Sequence, residues 1–138
     1  MKTALNSLLI TAAGFAMSAA AAYGQTQLTA NIPFSFQTMS GMQPAGEYRI
    51  VPFLHDGSVM KLQNVDTGHA AITGIGIPSG NPNERTPKLV FKCGSESGCA
   101  LVAVKMDDGR GWSYKEPKLK ASEQERIAVV YFDSKLAE

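Results

Sequence analysis

Leu28, Ala30, Ile32, Phe34 and Phe36 occupy every second position, with Gln27, Thr29, Asn31, Ser35 and Gln37 between them. Successive side chains of a strand point to opposite faces, so this run has the period of a strand with one buried and one wet face. Pro33 falls on the wet side and has no N–H to give a ladder, which predicts an edge strand or a bulge there. The same grammar recurs along the chain. Met39 to Gly46 is turn material ending in Pro44-Ala45-Gly46, and Glu47 to Val51 resumes the alternation with Tyr48 and Ile50 inward. After His55-Asp56-Gly57-Ser58, Val59 to Val65 reads as a strand with Met60 and Leu62 inward. Asp66-Thr67-Gly68 turns the chain into a strand over Ala70 to Ile77, loosened by Gly74 and Gly76. Pro78 to Pro87 is the longest turn-rich loop, and Asp107 to Gly111 is a turn before a short aromatic strand around Trp112 and Tyr114.

Near the C-terminal end, Ser122-Glu123-Gln124-Glu125 fits a capping box and predicts a short helix. Ile127 to Phe132 is β-branched and aromatic, and its continuous apolarity predicts a strand covered on both faces. Short strands at intervals of about 8–15 residues, with turn signals between them, specify an all-β domain. The expected fold is a single antiparallel β-sandwich or partly open β-barrel of about seven or eight strands, with at most one short helix.

Residues 1–24 have the form of a signal peptide. Lys2 supplies the positive end, Ala4 to Ala22 the apolar stretch, and Ala22-Tyr23-Gly24 the small-x-small site that precedes Gln25. The expectation is an exported protein, periplasmic or extracellular, whose residues 25–138 form the all-β domain. Loss of Lys2 takes the thirteen basic residues to twelve, equal to the twelve acidic ones. That balance gives no electrostatic footprint for nucleic acid. No second apolar run of spanning length follows, so no transmembrane segment is expected in the mature chain.

Cys93 and Cys99 are the only two cysteines and enclose Gly94-Ser95-Glu96-Ser97-Gly98. In an oxidising compartment such a pair is most simply a local disulfide across a hairpin, where facing Cα atoms reach the ~5.5 Å that a disulfide needs. A ring this small contributes about 2 kcal/mol on the chain-entropy model, so it pins a register rather than holding the fold.

Two motifs resemble the start of a family of small exported bacterial proteins of unknown function. They are Ala30-Asn31-Ile32-Pro33-Phe34-Ser35-Phe36 and Pro44-Ala45-Gly46-Glu47-Tyr48, with Glu125-Arg126 in the place of that family's later Glu-Arg pair. The chain departs from the pattern at Gln43, where leucine usually precedes the Pro-Ala-Gly turn. The resemblance covers some twenty N-terminal residues. It implies an exported all-β domain and carries over no catalytic or binding residue. Read physically, the alternating aromatics make a core face, and Pro-Ala-Gly makes a tight turn into the next strand.

Motifs that carry chemistry are scarce. Gly74-Ile75-Gly76-Ile77-Pro78-Ser79-Gly80 has its third glycine one position late for a dinucleotide loop, and no helix follows to receive a phosphate. The nucleophile elbow is absent, because the hairpin loop carries Glu96 where serine would stand. Zinc needs four ligands, and only His55 and His69, from distant turns, could join the two cysteines, so no zinc site is expected. Asp66-Thr67-Gly68 and Asp107-Asp108-Gly109 are turn chemistry, short of a calcium loop. No enzyme activity, metal or cofactor is expected.

Trp112 and Tyr114, two apart on one strand, are the candidate ligand-binding residues. If exposed, the pair can stack on a sugar or anchor a protein interface; if buried, it fills the core. The expected function is therefore a non-catalytic exported binding or interaction module for an envelope component, a polysaccharide or a protein. The alternative is a small β-barrel carrier that encloses an apolar ligand.

Overall fold

The computed structural model describes residues 26–136, with side chains placed for 28–133. The signal-peptide reading of residues 1–24 lies outside the described residues. The chain divides into two compact units, Leu28–Asp133 and Met1–Gln27 with Ser134–Glu138. The second is described only through the strand ends that fall in it; the first carries the core and the groove.

Described regular structure is entirely β. The first half contains β1 (Thr26–Ile32), β2 (Phe36–Thr38), β3 (Gly41–Gln43), β4 (Gly46–Pro52), β5 (Met60–Asn64), β6 (Ala70–Ile72) and β7 (Ile77–Pro78). The second contains β8 (Lys88–Gly94), β9 (Gly98–Lys105), β10 (Gly111–Ser113), β11 (Glu125–Tyr131) and β12 (Asp133–Leu136). One sheet runs β1-β4-β5-β6, all antiparallel. The other runs β11-β8-β9-β10-β7, with β2 also beside β9 and β3 beside β2. The sheets do not close into a barrel; the domain is a small sandwich. Its core draws on both. Ile32, Tyr48, Ile50, Met60 and Leu62 come from one sheet, and Phe36, Leu89, Phe91, Leu101 and Val104 from the other. Burying each large apolar side chain contributes on the order of 1.5–3 kcal/mol, which is what holds the two layers face to face.

The alternation from Leu28 to Phe36 is realised except at Thr29, which is buried although it lies on the side expected to be wet: Ala30, Ile32 and Phe36 are buried, Leu28 and Phe34 half-buried, and Asn31, Pro33, Ser35 and Gln37 exposed. It is nevertheless not one strand. β1 pairs with β4 up to Ile32↔Gly46, and β2 pairs with β3 from Phe36↔Gln43. One long hairpin thus has its base in the first sheet and its tip in the second. At the corner, Pro33, Phe34 and Ser35 oppose Pro44 and Ala45, one residue more on the outgoing side. A proline on each arm ends the ladder where the chain changes sheet. The chain reverses at Met39 and Ser40, not at Pro44-Ala45-Gly46. That segment is the return arm of the corner. Tyr48 locks it, because its buried ring carries a hydroxyl that donates to the Pro44 carbonyl at 2.6 Å. The ring also packs edge-on against Phe36, which in turn meets Phe91.

β8 and β9 form the expected hairpin, with Leu89, Phe91 and Cys93 buried in strict alternation. Cys93 lies directly opposite Cys99, and the two are disulfide-bonded with Cα atoms 4.0 Å apart. Ser95, Glu96 and Ser97 form the loop, and Gly98 at φ 78° supplies the left-handed residue such three-residue turns require. A register shift at Val90/Phe91 leaves Val102 as an extra residue in β9.

Three other expectations are corrected. The strand over Ala70 to Ile77 is two strands in different sheets, β6 and β7, joined by a crossing at Thr73–Gly76. No helix starts at Ser122, since the described residues contain none and Glu125 already belongs to β11. The β-branched run outcompetes the cap, and it is Glu123 whose carboxylate bonds the chain, accepting from Ser97 Oγ at 2.5 Å and from Ser97 N at 3.3 Å. Finally, β11 is not covered on both faces. It is the end strand of its sheet, and Ile127, Val129 and Tyr131 on one face are exposed, while Phe132 just beyond it is buried.

Candidate functional site

β9 has one partner, β8, along one side and two in succession along the other. β2 runs parallel to it at Cys99 and Ala100, and β10 runs antiparallel to it from Ala103 to Lys105. Between them the Val102 carbonyl accepts from the Tyr114 N–H at 2.8 Å. Past that bond the chain leaves β9 through Lys115–Lys118, and β2 turns away at Met39. The two departing segments open a groove of about 660 Å³. Ala100, Leu101 and Tyr114 contribute from the β9 side. Gln37–Met39 and the sheet-crossing segment Thr73–Ile75 line it as well, as do Lys115–Lys118. Ser40 Oγ accepts from the Ile72 N–H at 3.0 Å and so ties the hairpin tip to the strand that leads into the crossing.

The groove is mostly apolar, and two of its side chains are unusually bare: Met39 is 76% exposed and Ile75 81%. Its polar groups are few. Tyr114 is 8% exposed, and its hydroxyl has no hydrogen-bond partner. Burial pushes that phenol above its ordinary value of 10, with the Thr73 hydroxyl pulling the other way. Thr73 is itself committed, because its Oγ1 accepts from Met60 N and donates to the Gly74 carbonyl, both at 3.0 Å. Glu116 reaches Lys92 Nζ at 2.9 Å and holds that ammonium above its ordinary value. Lys115 and Lys118 are exposed and have no ion-pair partner among the described residues.

The structure keeps Trp112 and Tyr114 on one side of the chain, as their spacing requires, but turns that side inward. Trp112 is 7% exposed. Both belong to the core, and both pack against Gly76, where a Cβ would lie 2.6 Å from Trp112 Cβ and 2.9 Å from Tyr114 Cε1. Gly57, at φ 81°, gives Trp112 its second glycine wall. The two aromatics nevertheless part company at the surface: Tyr114 lines the groove, and Trp112 lines a separate, shallower depression beside Asp56 and Arg110. There the Arg110 guanidinium stands 5.8 Å from the indole centroid. Asp108 is spent on the local turn, accepting from Arg110 N and Nε, and these bonds hold its carboxyl below the usual range.

Among the described residues no three His, Cys, Asp or Glu side chains converge as metal ligands, and His55 and His69 are exposed turn residues. No described helix is long and apolar enough to cross a membrane. The glycine-rich stretch from Gly74 to Gly80 serves close approach rather than phosphate, since a Cβ at Gly80 would lie 2.2 Å from the Gly109 carbonyl oxygen.

Sequence reasoning missed the groove, because its walls come from four separated segments. The only trace in the sequence is Pro117 among lysines after Tyr114, which marks irregular chain but not what it encloses. Compared with protein-family models, curated proteins and solved structures, the chain matches none of them.

Proposed function

We propose that this chain is an exported, non-catalytic binding module that takes its ligand in the groove between β2 and the segment after β10. The observation that carries the reading is the groove itself. It has the size of a small-molecule site, and it combines apolar walls with a few placed polar groups, the usual composition of such sites. Bare Met39 and Ile75 beside it add to this, since large exposed apolar side chains clustered at a concavity mark interaction surfaces. A phenol, two lysines and a glutamate already paired to Lys92 suit recognition better than bond-breaking. Export is supported by the Cys93–Cys99 disulfide and by the resemblance of the two N-terminal motifs to small exported bacterial proteins.

The filled interior favours this reading over a carrier that encloses its ligand. Phe36, Tyr48, Phe91, Met60 and Leu62 occupy the space a hollow barrel would leave empty. The test is titration of the ¹⁵N-labelled oxidised protein with N-phenyl-1-naphthylamine, a neutral apolar fluorophore. Amide shifts confined to 37–39, 73–75, 100–101, 114–116 and 118, lost in Ile75→Glu, support the groove. Binding that leaves those amides unmoved refutes it.

A further inference from the structure

Resting on that reading, we infer that the groove takes a single-chain amphipathic acid, its apolar tail against Met39, Ile75 and Leu101 and its acid group at Lys115 and Lys118. The walls alone do not choose between a neutral and a charged apolar molecule. The charge around the groove does. Three ionisable side chains of one segment line it, and the one carboxylate among them, Glu116, is drawn to Lys92, which Glu125 also approaches at 3.6 Å. The remaining two are ammonium groups with no partner among the described residues, three positions apart on either side of Glu116 and Pro117. An anion placed there meets two cations and a carboxylate already compensated.

The Tyr114 hydroxyl is enclosed beside Thr73, with no surface open to the groove, so the occupant packs on the ring of Tyr114 and the acid preference rests on the two ammonium groups. The lysines are exposed, so their share is modest and salt-dependent. The tail supplies most of the affinity, about fourfold per buried methylene.

The test compares dodecanoate, 1-dodecanol and dodecylammonium on the oxidised protein, by displacement of N-phenyl-1-naphthylamine at low ionic strength and again at high salt. The expected order is acid, alcohol, ammonium, with the acid ahead of the alcohol by roughly three- to tenfold and the gap narrowing in salt. Lys115→Gln with Lys118→Gln, both at exposed positions, abolishes that preference and leaves dodecanol binding intact. Tyr114→Phe, which removes an enclosed hydroxyl, leaves the order of the three ligands unchanged. Equal affinity for acid and alcohol, or tightest binding of the ammonium, overturns the acid assignment while leaving the groove standing. Failure of all three ligands to displace the fluorophore, together with unmoved groove amides, removes the groove and this inference together. A protein that sediments with phosphatidylglycerol vesicles but ignores monomeric dodecanoate overturns the single-chain occupant in favour of a lipid surface.

Discussion

Reducing the Cys93–Cys99 bond removes a cross-link between residues six apart in sequence. Closing so short a ring takes little freedom from the unfolded chain, about 2 kcal/mol on the entropic model. In the folded state almost nothing needs to move. The cysteines are an opposed pair in a ladder that runs from Lys88↔Lys105 to Gly94↔Gly98, and both are buried, at 3% and 8% exposure. Two thiols left in place still pack as small apolar groups. For a domain of this size 1 kcal/mol corresponds to about 4 °C in Tm, so reduction should lower the midpoint by about 8 °C with the fold retained. Cys93→Ala with Cys99→Ala adds the loss of two buried sulfurs, each about a methylene in size, and should cost about 3–4 kcal/mol in all. Circular dichroism melts with and without a phosphine reductant, paired with urea titrations to check that the m-value is unchanged, measure both. A reduced protein already unfolded at 25 °C would refute the reasoning, because the bond would then be holding the fold. An unchanged midpoint would refute it from the other side.

Tyr48→Phe deletes the donor to the Pro44 carbonyl, and because Pro44 is exposed that oxygen is rehydrated; the loss should be about 1 kcal/mol by urea unfolding, against about 3–5 for Tyr48→Ala, which also empties the core. Gly76→Val drives a side chain into Trp112 Cβ and the Ser58 carbonyl oxygen, a destabilisation of about 1–3 kcal/mol, and should shift Trp112 emission from a blue, iodide-protected maximum towards the red. For Tyr114 the folded state holds the phenol protonated above 10, so the unfolded chain releases its proton first and stability falls as pH rises from about 10 towards the folded value, with no effect below. Tyr114→Phe should therefore flatten the alkaline limb of the stability–pH curve; an identical limb in both proteins would rule out Tyr114 as its source.

What the sequence reveals here is local, and what it conceals depends on partners. The pleat alone decides that Leu28, Ala30, Ile32, Phe34 and Phe36 share a side, so those faces are readable although the run spans two sheets. The change of sheet at Pro33 is not, because a missing N–H looks the same at an edge, a bulge or a corner. Ser122 to Glu125 carries a helix-start signal that loses to β11, Glu125–Tyr131, whose pairing with all of β8 outweighs one cap. Continuous apolarity in that run predicts cover on both faces, yet β11 is an end strand, and strand position belongs to the sheet rather than to the strand. Trp112 and Tyr114 are legible as a same-side pair, but their burial depends on Gly57 and Gly76, remote glycines that only the fold brings against them. The groove is the extreme case, since no single segment contains it.

The bent hairpin also governs how the domain comes apart. Its base is paired into one layer and its tip into the other, joined by a corner that Tyr48 ties to Pro44. Neither layer can peel away as an independent foldon without opening that corner, and the corner closes over Phe36, which both layers share. The architecture has two sheets but should unfold in one melting event. Slowly exchanging amides in β4 and in β9, on opposite layers, should then report the same global opening free energy, and two distinct values would refute this.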